Sequence, residues 1–242
     1  MSEYLLSEML KPEFKRFADY TDKIKVRQYI KDKGFTSILP KLYGVWENAY
    51  DIDFNILPEK FALKVNNGCG NHILCKAKRD LPVMKTRCFL NHLMTKPYSI
   101  REPHYPYIVP KIYAEELIEC EDGSLLTDYK FMCVKGKIQC ILICSNRSSD
   151  FHRINRITVD KDWKPLPWII GAKDAPLPTC PAHLDEMKHI AETLSADFDF
   201  VRVDLYDTGK QVYFGELTFT PNSSLLTFWT KDAITNMVKD LI

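Results

Sequence analysis

Two stretches near the C-terminus, FDFVRVDLY (198–206) and QVYFGELTF (211–219), alternate between side chains that favour the inside of a sheet and side chains that do not. A period of two belongs to strands, whereas a helix repeats near 3.6, so the pair reads as a hairpin around Asp207-Thr208-Gly209. On the first strand Phe200, Arg202 and Asp204 share one face and Val201, Val203 and Leu205 the other. On the second, strict alternation groups Val212, Phe214, Glu216 and Thr218. A turn of odd length puts Arg202, Asp204 and Glu216 on one side of the sheet. Three residues, Asp207 to Gly209, make a bulged turn with Gly209 left-handed, and five, Asp207 to Gln211, set Glu216 opposite Arg202. A two-residue turn puts the carboxylates on opposite faces. Paired Asp and Glu oxygens suit Mg²⁺, which water and phosphate oxygens normally complete. The competing reading is an Arg202–Asp204–Glu216 ion cluster on a solvated face. Phe200 and Phe214 tip that face towards a partly closed site, where buried carboxylates need a compensating cation.

The rest of the chain supplies strands in two groups with helices beside each. Leu5, Leu6, Met9 and Leu10, then Ile24, Tyr29 and Ile30, give short helical stripes before Gly34. LYGVW, FALKV and HILCK read as strands, followed by a helical stretch over 81–98 between Pro82 and Pro97. YIVPKIYAEELIE reads as an extended run whose Pro110 suits an edge or a strand start. YKFMCV and KIQCILICS flank Lys135-Gly136 as a hairpin. Residues 146 to 181 form a long polar excursion with ITV as its clear strand, a length that suits a lid or site wall. Pro181 opens a helix with Leu184, Met187, Ile190, Ala191 and Leu194 at helical spacing. This arrangement predicts an α+β fold with two lobes.

Composition removes several functions. Hydrophobic residues make up 45% and charged residues 27%, which excludes a disordered chain. Thirty-three Lys and Arg against thirty-two Asp and Glu leave +1, so a general binder of nucleic acid or membrane surfaces is not expected. The start, MSEYLLSEMLKPEFKRF, lacks the order of a signal peptide, and no apolar stretch is long enough to span a membrane. Eight cysteines without a C-x2-C pair read as free thiols of a reducing cytoplasm.

Other chemistry-bearing segments are weaker. Lys64-Val65-Asn66-Asn67-Gly68-Cys69-Gly70-Asn71 is neither Walker A nor G-x-G-x-x-G, yet Gly68 and Gly70 let successive backbone N–H groups face an anion, with Lys64 aimed at it. A plain hairpin turn is the alternative. Ala114-Glu115-Glu116-Leu117-Ile118, between the strand groups, offers backbone groups for a flat base and a carboxylate for sugar hydroxyls; a strand end with surface acids is the competing reading. The six histidines form no metal motif, and His72 and His104 read as hydrogen-bonded structural residues. Ser223-Ser224 lacks a nucleophile-elbow context.

Five stretches in order, DKIKVRQYIKDKG, LPEKFALKVNNGCGNHI, REPHYPYIVPKIYAEELI, DYKFMCVKGK and FVRVDLYDTGKQVYFGELTFTP, resemble the ATP-grasp superfamily, and within it the TupA-like group associated with bacterial capsular and cell-wall polysaccharide synthesis. The resemblance implies an N-terminal helical extension over 1–19 and two lobes, 20–114 and 115–242, whose antiparallel sheets enclose a nucleotide cleft, without a full pre-ATP-grasp domain. It implies ATP and Mg²⁺ as cofactors. Lys23 and Lys64 would hold phosphates, Asn66 to His72 would cover them, and Glu115 to Ile118 would read adenine, with Glu115, Glu116 or Asp122 on the ribose and amine. Lys130 and Arg202 would act on the transferred phosphoryl group, and Asp204 with Glu216 would hold metal. Here E-x-N is replaced by Glu216-Leu217-Thr218, so Thr218 or Asn222 would complete the metal site. The implied reaction is carboxylate–amine ligation through an acyl phosphate, on a uronic acid or amino-acid carboxyl. The acceptor site would be completed by 146–181 or by another biosynthetic protein, in the cytoplasm or peripheral to membrane-bound assembly. A sugar or small-molecule kinase and a non-catalytic nucleotide-binding subunit are the alternatives.

Overall fold

The computed structural model describes residues 1–68, 72–96, 102–120, 122–145, 155–171, 176–239 and 241. Gly70, with Cys69 and Asn71, lies outside the described residues, as do 146–154 and 172–175 of the polar excursion. The chain forms two compact units, a smaller one of Glu13–Tyr29 and Leu39–Ile118 and a larger one of Met1–Pro12, Ile30–Ile38 and Glu119–Ile242.

The smaller unit is built on a four-stranded sheet. It comprises β1 (Leu42–Trp46), β2 (Phe61–Val65), β3 (His72–Cys75) and β4 (Ile112–Glu115) in the order β1-β4-β2-β3, paired antiparallel. Alternation in FALKV sends Phe61, Leu63 and Val65 into a core with Ile112, Ala114 and the buried Leu90 and Leu93 of a helix over Val83–Met94. The opposite face is left to Ala62, Lys64, Tyr113 and Glu115, which the β2–β4 register brings together. The long extended run shrinks to the four residues of β4, and Tyr105–Tyr107 is a 3₁₀ turn instead. β4 hydrogen-bonds to neighbours on both sides, so Pro110, which has no N–H to give, falls before it.

His104 closes this unit by ring packing rather than by hydrogen bonding at Nδ1. Its ring lies 5.4 Å from Phe14 and 4.8 Å from Tyr105, and its buried Nδ1 has no hydrogen-bond partner. Burial pushes the imidazole down to about 4 from the ordinary 6.5. The charged form is therefore disfavoured in the folded chain. Its contribution to stability is complete above pH 6.5 and is lost as pH falls through about 4. Between pH 7.5 and 4.5, urea unfolding of His104→Phe should lose about 2 kcal/mol less stability than the parent. Parallel losses in the two proteins would refute this.

The larger unit carries a six-stranded antiparallel sheet. Its strands are β5 (Asp128–Val134), β6 (Lys137–Ser145), β7 (Asn155–Val159), β8 (Pro165–Leu166), β9 (Phe200–Asp207) and β10 (Val212–Thr218), ordered β10-β9-β5-β6-β7-β8. Lys135 at φ 47° and Gly136 at φ 75° make the tight β5–β6 turn whose twist matches that of the strands. A helix over Leu184–Ser195 buries Met187, Ile190, Ala191 and Leu194, the stripe expected from spacing, and packs on β9, β5 and β6. It starts three residues after Pro181, where the Asp207 carboxylate accepts from the His183 backbone N–H at 3.1 Å and meets its ring Nδ1 at 2.9 Å.

On the other sheet face Met132, Val134 and Phe200 join Leu226, Trp229 and Met237 near the C-terminus and Met1 and Leu5 near the N-terminus in one apolar cluster. Lys130, Arg202 and Asp204 continue the same face beyond that cluster, because Lys130 pairs with Asp204 and Met132 with Arg202. The seven described cysteines are free thiols, four of them buried. Among the described residues no helix is long and apolar enough to cross a membrane.

Candidate functional site

The turn between β9 and β10 is even, not odd. Val212 pairs with Asp207, leaving the four residues Thr208 to Gln211 in the loop. Continued without interruption, this register would send Asp204 and Glu216 to opposite faces. A bulge corrects it: Phe214 pairs with Leu205, but Glu216 pairs with Asp204 and Thr218 with Arg202. Gly215 is the extra residue, and a Cβ there would lie 3.0 Å from both the Asp204 carbonyl oxygen and the Tyr206 ring. The even turn also puts Phe214 on the face of Leu205, so Tyr213, paired with Tyr206, borders the charged face instead.

The face so assembled is a charge network. Arg202 grips Asp204 through Nε–Oδ1 at 2.6 Å and Nη2–Oδ2 at 2.7 Å, and Nη2 also donates to Glu216 Oε1 at 2.9 Å. Thr218 Oγ1 donates to the same Glu216 oxygen at 3.1 Å. Lys130 Nζ donates to Asp204 Oδ2 and lies 3.5 Å from Asp128 Oδ2. Three carboxylates thus meet Lys130 and Arg202 on side chains that are mostly buried. Burial by itself would lower the Arg202 pKa, yet Asp204 and Glu216 outweigh it and raise the value above the ordinary one. Burial, then the charges of Asp128 and Asp204, hold Tyr206 well above the usual phenol value, so it serves as a hydrogen donor to Asp128.

Asp128 and Tyr206 did not emerge from the sequence patterns. Asp128 was legible in principle, since it precedes Lys130 by two residues and a strand starting at Asp128 puts both on one face. Oxygen donors from Asp204, Glu216 and Thr218 are a hard set. Among the described residues no three His, Cys, Asp or Glu side chains group as metal ligands.

The smaller unit has its own ion cluster. Lys64 Nζ and Glu115 Oε1 are 2.7 Å apart, and Arg27 Nη1 lies 3.6 Å from Glu115 Oε2. Arg27 also donates to the Pro40 carbonyl at 2.5 Å. It stands four residues after Lys23, a helical spacing that could have marked it. Asn66 ties three segments together: its amide donates to Asp22 Oδ2 at 2.9 Å and the Val109 carbonyl at 3.0 Å, and its oxygen accepts from Lys111 N at 2.7 Å. The Lys23 N–H donates to the Asn66 carbonyl at 3.2 Å, so the first lysine and the glycine segment share an anchor. Gly68 packs tightly, since a Cβ would meet Val65 Cγ2 at 3.0 Å.

The three acids offered for nucleotide contacts differ in setting. Glu115 is buried at the end of β4; Glu116 Oε2 accepts from Lys41 N at 3.1 Å; Asp122 is exposed, with Oδ1 accepting from Ser124 N at 2.9 Å. Leu117 and Ile118 follow β4 half-buried. Asn222, in the larger unit, has a left-handed backbone at φ 51° and turns its amide onto the Leu225 carbonyl.

The sequence profile of the TupA-like ATPgrasp family matches residues 3–237. No curated sequence matches the chain. The D-alanine–D-alanine ligase of Bacillus anthracis, in a structure complexed with ATP, superposes with a TM-score of 0.51 at 13% identity, over 83% of this chain and 55% of the ligase. The Helicobacter pylori D-alanine–D-alanine ligase gives 0.50 at 16% identity, over 91% of this chain and 58% of the ligase. The fold is thus an α+β ATP-grasp-like fold with a sheet in each unit, and the chain spans little more than half the length of these ligases.

Proposed function

Because the chain belongs to the TupA-like ATP-grasp family, we propose that it is an ATP- and Mg²⁺-dependent carboxylate–amine ligase. The observation that carries this reading is the cross-strand pair Asp204–Glu216 bridged by Arg202 at 2.6 to 2.9 Å. Two carboxylates and a hydroxyl match the small protein share of an Mg²⁺ shell, which phosphate oxygens and water complete. Bound there, Mg²⁺ would offset phosphate charge. Asp204 and Glu216 would hold it, with Thr218 or Asn222 as the further donor.

The remaining roles fall on this chain's own side chains. Lys23 and Lys64 bind phosphates, with Asn66, Gly68 and Gly70 in the segment that covers them. Glu115, Glu116, Leu117 and Ile118 read the adenine and ribose, with Asp122 as a further candidate. The acceptor carboxylate oxygen attacks the γ-phosphorus and the bond to the bridging oxygen breaks, releasing ADP. The amine nitrogen then attacks the acyl carbon, the bond to the phosphate oxygen breaks, and the amine proton passes to phosphate or water. An acyl phosphate is needed because a carboxylate is a poor electrophile. Arg202 and Lys130 would neutralise the transferred phosphoryl group and the tetrahedral oxyanion.

The acceptor we favour is a uronic acid or amino-acid carboxyl of a capsular or cell-wall polysaccharide intermediate, with an amine co-substrate. Residues 146–181 or a second biosynthetic protein would complete its site. Free thiols and a near-neutral charge support a cytoplasmic setting, in solution or beside a membrane-bound assembly. Calorimetric titration with a non-hydrolysable ATP analogue and Mg²⁺ should show one saturable site, weakened about 100-fold in Lys64→Ala. Absence of saturation, or equal binding by the variant, would refute the nucleotide site. Product mass then separates a ligase, which yields an amide with loss of water, from a kinase, which leaves a phosphate on the acceptor.

A further inference from the structure

Asp204 is 2% exposed and both its oxygens are already taken, by Arg202 at 2.6 and 2.7 Å and by Lys130 on Oδ2. We propose that Lys130 is a resident counter-cation of this carboxylate group. It occupies Asp204 in the metal-free protein and must yield that oxygen before a divalent ion can use it, so metal enters only together with nucleotide. The inference rests on reading Asp204 and Glu216 as the metal pair.

Repulsion gives the reason. Lys130 and Arg202 both already sit on Asp204. A divalent ion brought to that carboxylate with both in place would meet two like charges at close range. Uncompensated charge of either sign is costly where water is scarce. A nucleotide polyphosphate brings the missing anions, for the metal and for the displaced ammonium alike.

Of the two cations, only Lys130 is built to move. Arg202 is fixed by three hydrogen bonds from a planar guanidinium to two carboxylates. Lys130 is a point charge on a flexible stem, and Asp128, 1% exposed and 3.5 Å from its ammonium, gives it a second anchor on the same strand. Releasing Asp204 therefore does not strand the ammonium. By linkage, metal must then raise nucleotide affinity by the same factor as nucleotide raises metal affinity.

The test follows Mn²⁺ carried on the protein, by water-proton relaxation, with and without a non-hydrolysable ATP analogue. The full chain should hold Mn²⁺ on the order of 100-fold more weakly without the analogue. Lys130→Gln should tighten nucleotide-free Mn²⁺ binding roughly tenfold and narrow that gap. The double variant Lys130→Gln/Asp128→Asn removes one charge of each sign; it should behave likewise and serves if the single variant does not fold. Unchanged nucleotide-free binding in these variants, or Mn²⁺ bound equally with and without analogue by the parent, overturns the counter-cation and leaves the metal pair standing. No Mn²⁺ on any form even with analogue, or binding indifferent to Asp204→Asn, overturns both.

Discussion

Asp204→Asn is expected to lower ATP turnover about 1,000-fold while leaving the ligand-free protein folded. The substitution is nearly isosteric and keeps an oxygen for Arg202, but deletes the charge that the proposed metal needs. The fold tolerates this for a specific reason. With Asp204 neutral, Lys130 still has Asp128 at 3.5 Å and Arg202 still has Glu216 at 2.9 Å, so neither cation is stranded. Weakening charge-assisted bonds to ordinary ones costs about 1–2 kcal/mol, a few degrees in melting temperature. ADP release and a thermal melt on the same sample decide the matter. Normal activity per folded molecule in a protein that melts far lower would make the network structural.

Glu115→Gln should act in the smaller unit on stability and on nucleotide together. Glu115 is the counter-charge for Lys64 at 2.7 Å and for Arg27 at 3.6 Å, and its own side chain is only 7% exposed. Removing one partner of a buried pair strands the other's charge, a loss of about 3–5 kcal/mol when both are buried. Lys64 is 29% exposed and partly screened, which brings the expected cost to about 2 kcal/mol. The urea midpoint should fall at constant slope. A freed Lys64 is also misplaced for phosphate, so affinity for the ATP analogue should fall roughly tenfold. Unchanged midpoint and unchanged affinity would remove Glu115 from both roles.

Several of these features could be read from the chain before any coordinates. Period-two alternation in FDFVRVDLY sorts Arg202 and Asp204 from Val203 and Leu205 because one face of the sheet is packed against a helix. The stripe Met187, Ile190, Ala191 and Leu194 is equally local, and Lys135-Gly136 carries its own turn chemistry. What escaped depends on partners far away along the chain. Lys64 meets Glu115, 51 positions further along the chain, on another strand, a pairing no local period encodes. Gly215 reads as an ordinary weak strand residue until the register on either side of it is known. Strict alternation therefore groups Phe214 with Glu216, although the extra residue between them puts the two on opposite faces. The unpartnered Nδ1 of His104 depends on burial against Phe14, far away along the chain, which the adjacent Tyr105 does not reveal.

The β9–β10 hairpin behaves as two short ladders in series. The outer one joins Leu205–Asp207 to Val212–Phe214, and the inner one joins Arg202–Asp204 to Glu216–Thr218. Parity between them is set by one residue, so the tip can change length by twos without touching the acids. A change by one must be matched by losing or gaining the slip at Gly215. Counting inward from the turn therefore gives the wrong neighbour for Glu216, whereas counting outward from the acids gives the right one. Any graft or circular permutation that opens this chain at Thr208–Gln211 keeps the inner ladder as its frame of reference, and the charged face travels with it.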